Sequence, residues 1–174
     1  MKLKDLNLEP WPHLVIDDFF HEGHYEMLVE EHMDAFNSVS NKGRIDNNDI
    51  NMATLYKERL DDLYYNVFSQ TIEPNYIHEE CLVLGTNYED GIHTDVKEKL
   101  MSVVVYLHTE SADKGALGTL IYDKNKNFVK EIEWKPNRCL VFCKQPNVTW
   151  HNFKASDVSP RMSYNIFYQK RDNV

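Results

Sequence analysis

The chain is predicted to fold as a mainly β protein, a sandwich or jelly-roll barrel with supporting α-helices, and three observations carry that expectation. From about Ile77 onward the sequence breaks into short β-favouring runs separated by turns. Before that point, two stretches place apolar residues at helical spacing with acidic residues between them. The length, 174 residues with 42% hydrophobic and 27% charged side chains, suits one unit with a sizeable core better than two. The expected domain covers 1–174, with an N-terminal strand and helices in 1–76 packed on a β core in 77–170.

The segment from Pro10 to Phe20 opens with prolines that disfavour a helix, and Leu14, Val15 and Ile16 then favour a short strand. From His24 to Phe36, the residues Tyr25, Leu28, Val29, His32, Met33 and Phe36 form one apolar face of a helix. A second helix is expected over Ala53 to Gln70, striped by Leu55, Leu60, Leu63, Tyr64 and Val67. The polar, Asn-rich stretch Ser38 to Asp49 between them reads as a loop, extending to Ile50, that could close over an extended substrate. Six strands follow: Cys81 to Thr86, Met101 to His108, Leu117 to Tyr122, Phe128 to Trp134, Arg138 to Phe142 and Met162 to Gln169. Asp123 to Asn127 has the composition of a hairpin tip.

Composition narrows the function. A formal charge of −9 with scattered Lys and Arg argues against a nucleic-acid partner, because phosphate neutralisation needs clustered cations. No apolar run reaches bilayer length, and Met1 to Asp5 lacks an apolar signal core, so a cytoplasmic location without a membrane partner is expected. Cys81, Cys139 and Cys143 show no metal-ribbon spacing and read as buried free thiols.

The chemistry is expected in the second half. On a strand, residues i and i+2 share a face, so His93 and Asp95 can offer an imidazole nitrogen and a carboxylate oxygen to one ion while Thr94 points away. His151, fifty-six residues after Asp95, is far enough along for intervening strands to return a third ligand. Two histidines and one carboxylate on one face of an octahedral ion leave the opposite face open. His108 and Glu110 have a similar form, but they end a strand and lead straight into the turn at Ser111 to Gly115, which disfavours them. The remaining histidines, His13, His21, His24, His32 and His78, read as ordinary packed or solvated side chains.

Arg161 and Ser163 share a face at the start of the last strand, and Asn165 and Phe167 continue it. A guanidinium fork holds a carboxylate through two parallel hydrogen bonds, and a hydroxyl can add a third, so this pair suits a dicarboxylate cosubstrate. Ser102, Val104, Tyr106 and His108 share one face of the strand after the metal pair, where the Tyr106 phenol can reach the same carboxylate. The competing readings are a surface ion pair of Arg161 with Asp157 and plain core packing for Tyr106 and Trp150.

These residues resemble a known family. His93-Thr94-Asp95, His151 and Arg161-Met162-Ser163, with Glu133 to Phe142 before the distal histidine, are similar to the Fe(II)/2-oxoglutarate-dependent dioxygenases, and most of all to their prolyl-4-hydroxylase-like branch. Tyr106-Leu107 looks like that branch's Tyr-Leu-Asn strand, with His108 in place of Asn, and Pro12 to Phe20 looks like its opening strand. Lys114 to Leu120 departs from the branch's usual Gly-Gly pattern. Both departures fall near the expected substrate mouth.

The resemblance implies a double-stranded β-helix of the jelly-roll, cupin-like type that binds Fe(II) through His93, Asp95 and His151. It further implies 2-oxoglutarate held on Arg161 with Tyr106 and Ser163, consumption of O2, and release of succinate and CO2. Such a resemblance leaves open a need for ascorbate. The implied reaction is hydroxylation of an unactivated carbon, on a peptidyl side chain such as proline or on a small molecule, and Asp95 favours oxygenation over halogenation. Two other functions stay open on the residues alone: a non-catalytic jelly-roll binding module, and a cupin-like metalloenzyme that does not use 2-oxoglutarate.

Overall fold

The computed structural model describes residues 6–47, 51–110 and 118–172. Two β-sheets face each other, and helices cover the outer side of the larger one. The large sheet has six strands in the order β1-β7-β4-β9-β3-β2. They are β1 (His13–Ile16), β2 (Arg44–Asn47), β3 (Tyr76–Leu84), β4 (Lys99–His108), β7 (Cys139–Cys143) and β9 (Arg161–Gln169). The small sheet runs β6-β5-β8, from β5 (Thr119–Tyr122), β6 (Phe128–Ile132) and β8 (His151–Phe153). All pairings are antiparallel. This is the double-stranded β-helix that the sequence resemblance implies.

Side-chain alternation on the central strands divides the molecule into two apolar layers. On β4, Met101, Val103, Val105 and Leu107 join the core under the helices, whereas Tyr106 joins Trp11, Ile121, Ile132, Trp134, Leu140 and Phe142 between the sheets. Helix α1 (Glu22–Ser38) contributes Leu28, His32 and Phe36 to the outer layer and packs across β3 and β4. Cys81, Cys139 and Cys143 are free and buried, and burial pushes their thiols up. No helix among the described residues is long and apolar enough to cross a membrane.

The expected second helix is broken into three pieces, α2 (Met52–Leu55), α3 (Lys57–Asp61) and the π-helical α4 (Asp62–Val67). Tyr56 makes the break. Its ring packs against Phe19 and Phe20, and its hydroxyl accepts from His21 N at 2.7 Å, which holds it out of helical geometry. The wider turn of α4 then brings Leu63, Tyr64 and Val67 onto the core.

The stretch read as a loop contains a strand instead, since Arg44–Asn47 pairs with Cys81 to Leu84 of β3. A polar edge strand carries no apolar run for a pattern to reveal. Asn48 to Ile50 and Ser111 to Leu117 lie outside the described residues, as do the tip of that loop, the start of the strand expected from Leu117 and the turn after Glu110. The hairpin tip is as expected, with Asp123 Oδ1 accepting from Asn125 N and Asn127 N at 2.8 and 2.9 Å.

Gly85 closes the β2–β3 corner by allowing backbone to approach backbone. A Cβ placed there would lie 1.8 Å from the Ser40 carbonyl oxygen, so the Gly85→Ala chain must shift its main chain. Denaturant titration is expected to show a loss of about 1–3 kcal/mol.

Candidate metal centre and anion pocket

His93 and His151 come together through main-chain pairing. Each donates its backbone N–H to the other's carbonyl at 3.0 Å, which sets the two imidazole rings 4.5 Å apart. Asp95 completes the group, and one ligand atom from each of the three lies within 4.8 Å of the others. The i, i+2 strand argument is not what aligns them, because only His93 makes a single bridge and Asp95 sits in irregular backbone. Asp95 is instead held from outside its own segment, its Oδ2 accepting from Ser102 Oγ at 2.6 Å and its Oδ1 from Lys99 Nζ at 2.9 Å.

The tautomers suit metal ligation. His93 Nδ1 lies 2.8 Å from Gly91 O, and His151 Nδ1 lies 3.0 Å from Thr149 O. A carbonyl can only accept, so each Nδ1 carries the proton and each Nε2 keeps its lone pair. Burial lowers the His151 pKa, keeping the ring neutral as a ligand must be. For Asp95, burial alone would raise the pKa, but the Lys99 charge and the hydrogen bonds from Ser102 and Lys99 hold it below its ordinary value. The donor set therefore fits a divalent cation of the kind bound by two imidazoles and a carboxylate.

His93, Asp95 and His151 line a cavity of about 110 Å³ that Arg161 and Ser163 also line. Arg161 leaves 3% of its surface exposed, while Asp157 is exposed, so the surface ion pair does not form. The guanidinium carbon lies 5.2–5.4 Å from the ring centres of Tyr106, Trp134 and Phe153, and burial among them lowers its pKa to about 10, still charged at neutral pH. Its Nε and Nη2 atoms, the edge that grips a carboxylate side-on, have no hydrogen-bond partner among the described residues, and neither has Ser163 Oγ. A buried cation with two idle donors fits an anionic group such as a carboxylate.

Tyr106 lies beside Arg161, fully buried, with its hydroxyl donating to Thr119 Oγ1 at 2.9 Å. Thr119, not Tyr106, is on the cavity wall, so the phenol borders the pocket through this threonine. His108 stands apart, its ring 4.7 Å from that of Phe36. Trp150 is half-buried under Lys126 Nζ, 4.1 Å from its ring, and does not line the cavity. Lys99, Ser102 and Thr119 were not singled out as site residues by the sequence; the serine's parity with Tyr106 was the one available signal.

No protein-family model and no curated protein sequence matches the chain. Solved structures do. A prolyl-4-hydroxylase from Pseudomonas putida superposes with a TM-score of 0.71 at 13% identity, over 98% of this chain and 97% of the other. A Trichoplax adhaerens prolyl hydroxylase, solved in complex with a hypoxia-inducible factor oxygen degradation domain peptide, gives 0.68 at 13% identity over 90% and 83%. The viral collagen prolyl hydroxylase of Paramecium bursaria Chlorella virus-1, in its 2-oxoglutarate complex, gives 0.66 at 13% identity over 92% and 96%. The chain thus shares the fold of these prolyl hydroxylase structures.

Proposed function

We propose that the protein is an Fe(II)- and 2-oxoglutarate-dependent dioxygenase that hydroxylates an unactivated carbon of a peptidyl or small-molecule substrate. The observation that carries this is the pairing, in one cavity, of a His-Asp-His group with a buried guanidinium whose carboxylate-gripping edge is unpartnered. The neighbours solved with 2-oxoglutarate and with a peptide support the cosubstrate and the substrate class respectively. A cupin-like enzyme without 2-oxoglutarate would need a different anion for that arginine.

In this reading His93, Asp95 and His151 hold the iron, and Arg161 with Ser163 holds the distal carboxylate of 2-oxoglutarate. When bound with O2, the iron and cosubstrate supply an oxidant able to hydroxylate a C–H bond, with succinate and CO2 as coproducts. The backbone carbonyls of Gly91 and Thr149 orient the two imidazoles, and Ser102 and Lys99 orient the carboxylate. Trp134, Phe153 and the Tyr106 ring keep water from the guanidinium and strengthen its hold on an anion.

Incubating the wild-type chain with Fe(II), 2-oxoglutarate and O2 is expected to give slow, iron-dependent succinate formation even without substrate. Asp95→Ala should reduce it by at least about 100-fold, as losing a first ligand exceeds the loss of a supporting one. Equal succinate from both proteins would refute the assignment.

A further inference from the structure

Strand β9 carries one more unsatisfied group toward the same cavity. Asn165 is 4% exposed and lines the pocket beyond Ser163. Its Nδ2 donates to Glu80 Oε1 on the neighbouring strand β3 at 3.0 Å. A carboxylate accepts and cannot donate, so this bond fixes the orientation of the amide and turns Oδ1 away from Glu80. Asn165 Oδ1 is buried and has no hydrogen-bond partner among the described residues.

Glu80 also lines the cavity, with its side chain 13% exposed. The nitrogens near it are His78 Nε2 at 3.4 Å and Arg44 Nη2 at 4.0 Å, and Arg44 is drawn the other way by Asp46 at 3.2 Å. The wall therefore offers a buried neutral acceptor next to a weakly balanced negative charge. It lacks a donor.

2-Oxoglutarate cannot fill that lack, because its dianion has only acceptor oxygens. A peptidyl proline cannot either, as its ring nitrogen bears no hydrogen. We propose that Asn165 Oδ1 and the Glu80 carboxylate form a subsite for a cationic N–H group of the primary substrate, the side chain of lysine or arginine. The inference rests on the oxygenase reading for its chemistry. With the nitrogen held there, the methylenes of the stem lie in the cavity that His93, Asp95 and His151 line, where hydroxylation requires them. Such a substrate also matches the acidic balance of the chain, −9 overall.

The test is calorimetric titration of the full chain with capped lysine and arginine (N-acetyl, N-methylamide), their capped norleucine and proline counterparts, and free lysine and arginine. The basic compounds are expected to bind about tenfold or more tightly than norleucine or proline, and Glu80→Gln to remove about tenfold of that preference. Asn165→Leu should do the same, and Glu80→Gln, isosteric and partly exposed, keeps the test valid if the leucine variant does not fold. Preference for capped over free forms identifies a peptide, and the reverse a free amino acid. Binding of norleucine or proline equal to that of the basic compounds overturns the proposal. So does no binding of any basic compound, or a preference untouched by Glu80→Gln. The Fe(II)/2-oxoglutarate absorption band, recorded on the same samples, separates the two readings: the band without selective binding sinks the subsite alone, and selective binding without the band sinks the oxygenase.

Discussion

Arg161→Met is expected to weaken the response to 2-oxoglutarate by one to two orders of magnitude while leaving the ligand-free protein as stable as before, or more so. The guanidinium is buried among three aromatic rings with two donors unpaired, so the ligand-free fold carries the desolvation of a cation that nothing in the described structure neutralises. Methionine fills similar volume without that cost. If the arginine were there for structure, its loss would lower the melting temperature. If it is an anion anchor, thermal unfolding without ligand stays the same or rises. Wild-type protein gains about 2.7 kcal/mol at a 2-oxoglutarate concentration of 100 times Kd, and the variant gains only about 0.3–1.4 kcal/mol at that concentration. Losing a charge-assisted, two-bond contact corresponds to roughly a 10- to 150-fold rise in the 2-oxoglutarate required.

His151→Ala is the second large effect. Main-chain bonds to His93 and the pairing with Ile121 place residue 151, and alanine keeps both, so the sheets should form. What is lost is one of three metal ligands, together with the ring that packs on Phe142. Fe(II) affinity, measured by equilibrium dialysis under anaerobic conditions, is expected to fall by at least about 100-fold. Circular dichroism should remain that of the wild-type chain.

The sequence made the chemistry more legible than its setting. His93, Asp95, His151 and Arg161 could be picked out because few alternative roles suit those residue types in that order, and β9 parity correctly put Arg161, Ser163 and Asn165 on one face. The supporting groups were hidden because they act across the sheet. Lys99 and Ser102 reach Asp95 only once β4 is in place, and Glu80 meets Asn165 only through the β3–β9 register. The β2 strand was missed for a related reason: its alternation is polar, and its pairing with β3 rather than its own residues defines it. The break at Tyr56 likewise depends on Phe19 and Phe20, distant in sequence, which helical periodicity cannot register.

In the proposed reading, iron and 2-oxoglutarate share this one cavity. Adding both to the protein without oxygen and recording the visible spectrum tests it most directly, since a metal-to-ligand charge-transfer band arises only when the keto acid chelates the bound iron. The wild-type chain should develop the band and His151→Ala should not; no band in folded wild-type protein, or an undiminished band in the variant, would contradict the account.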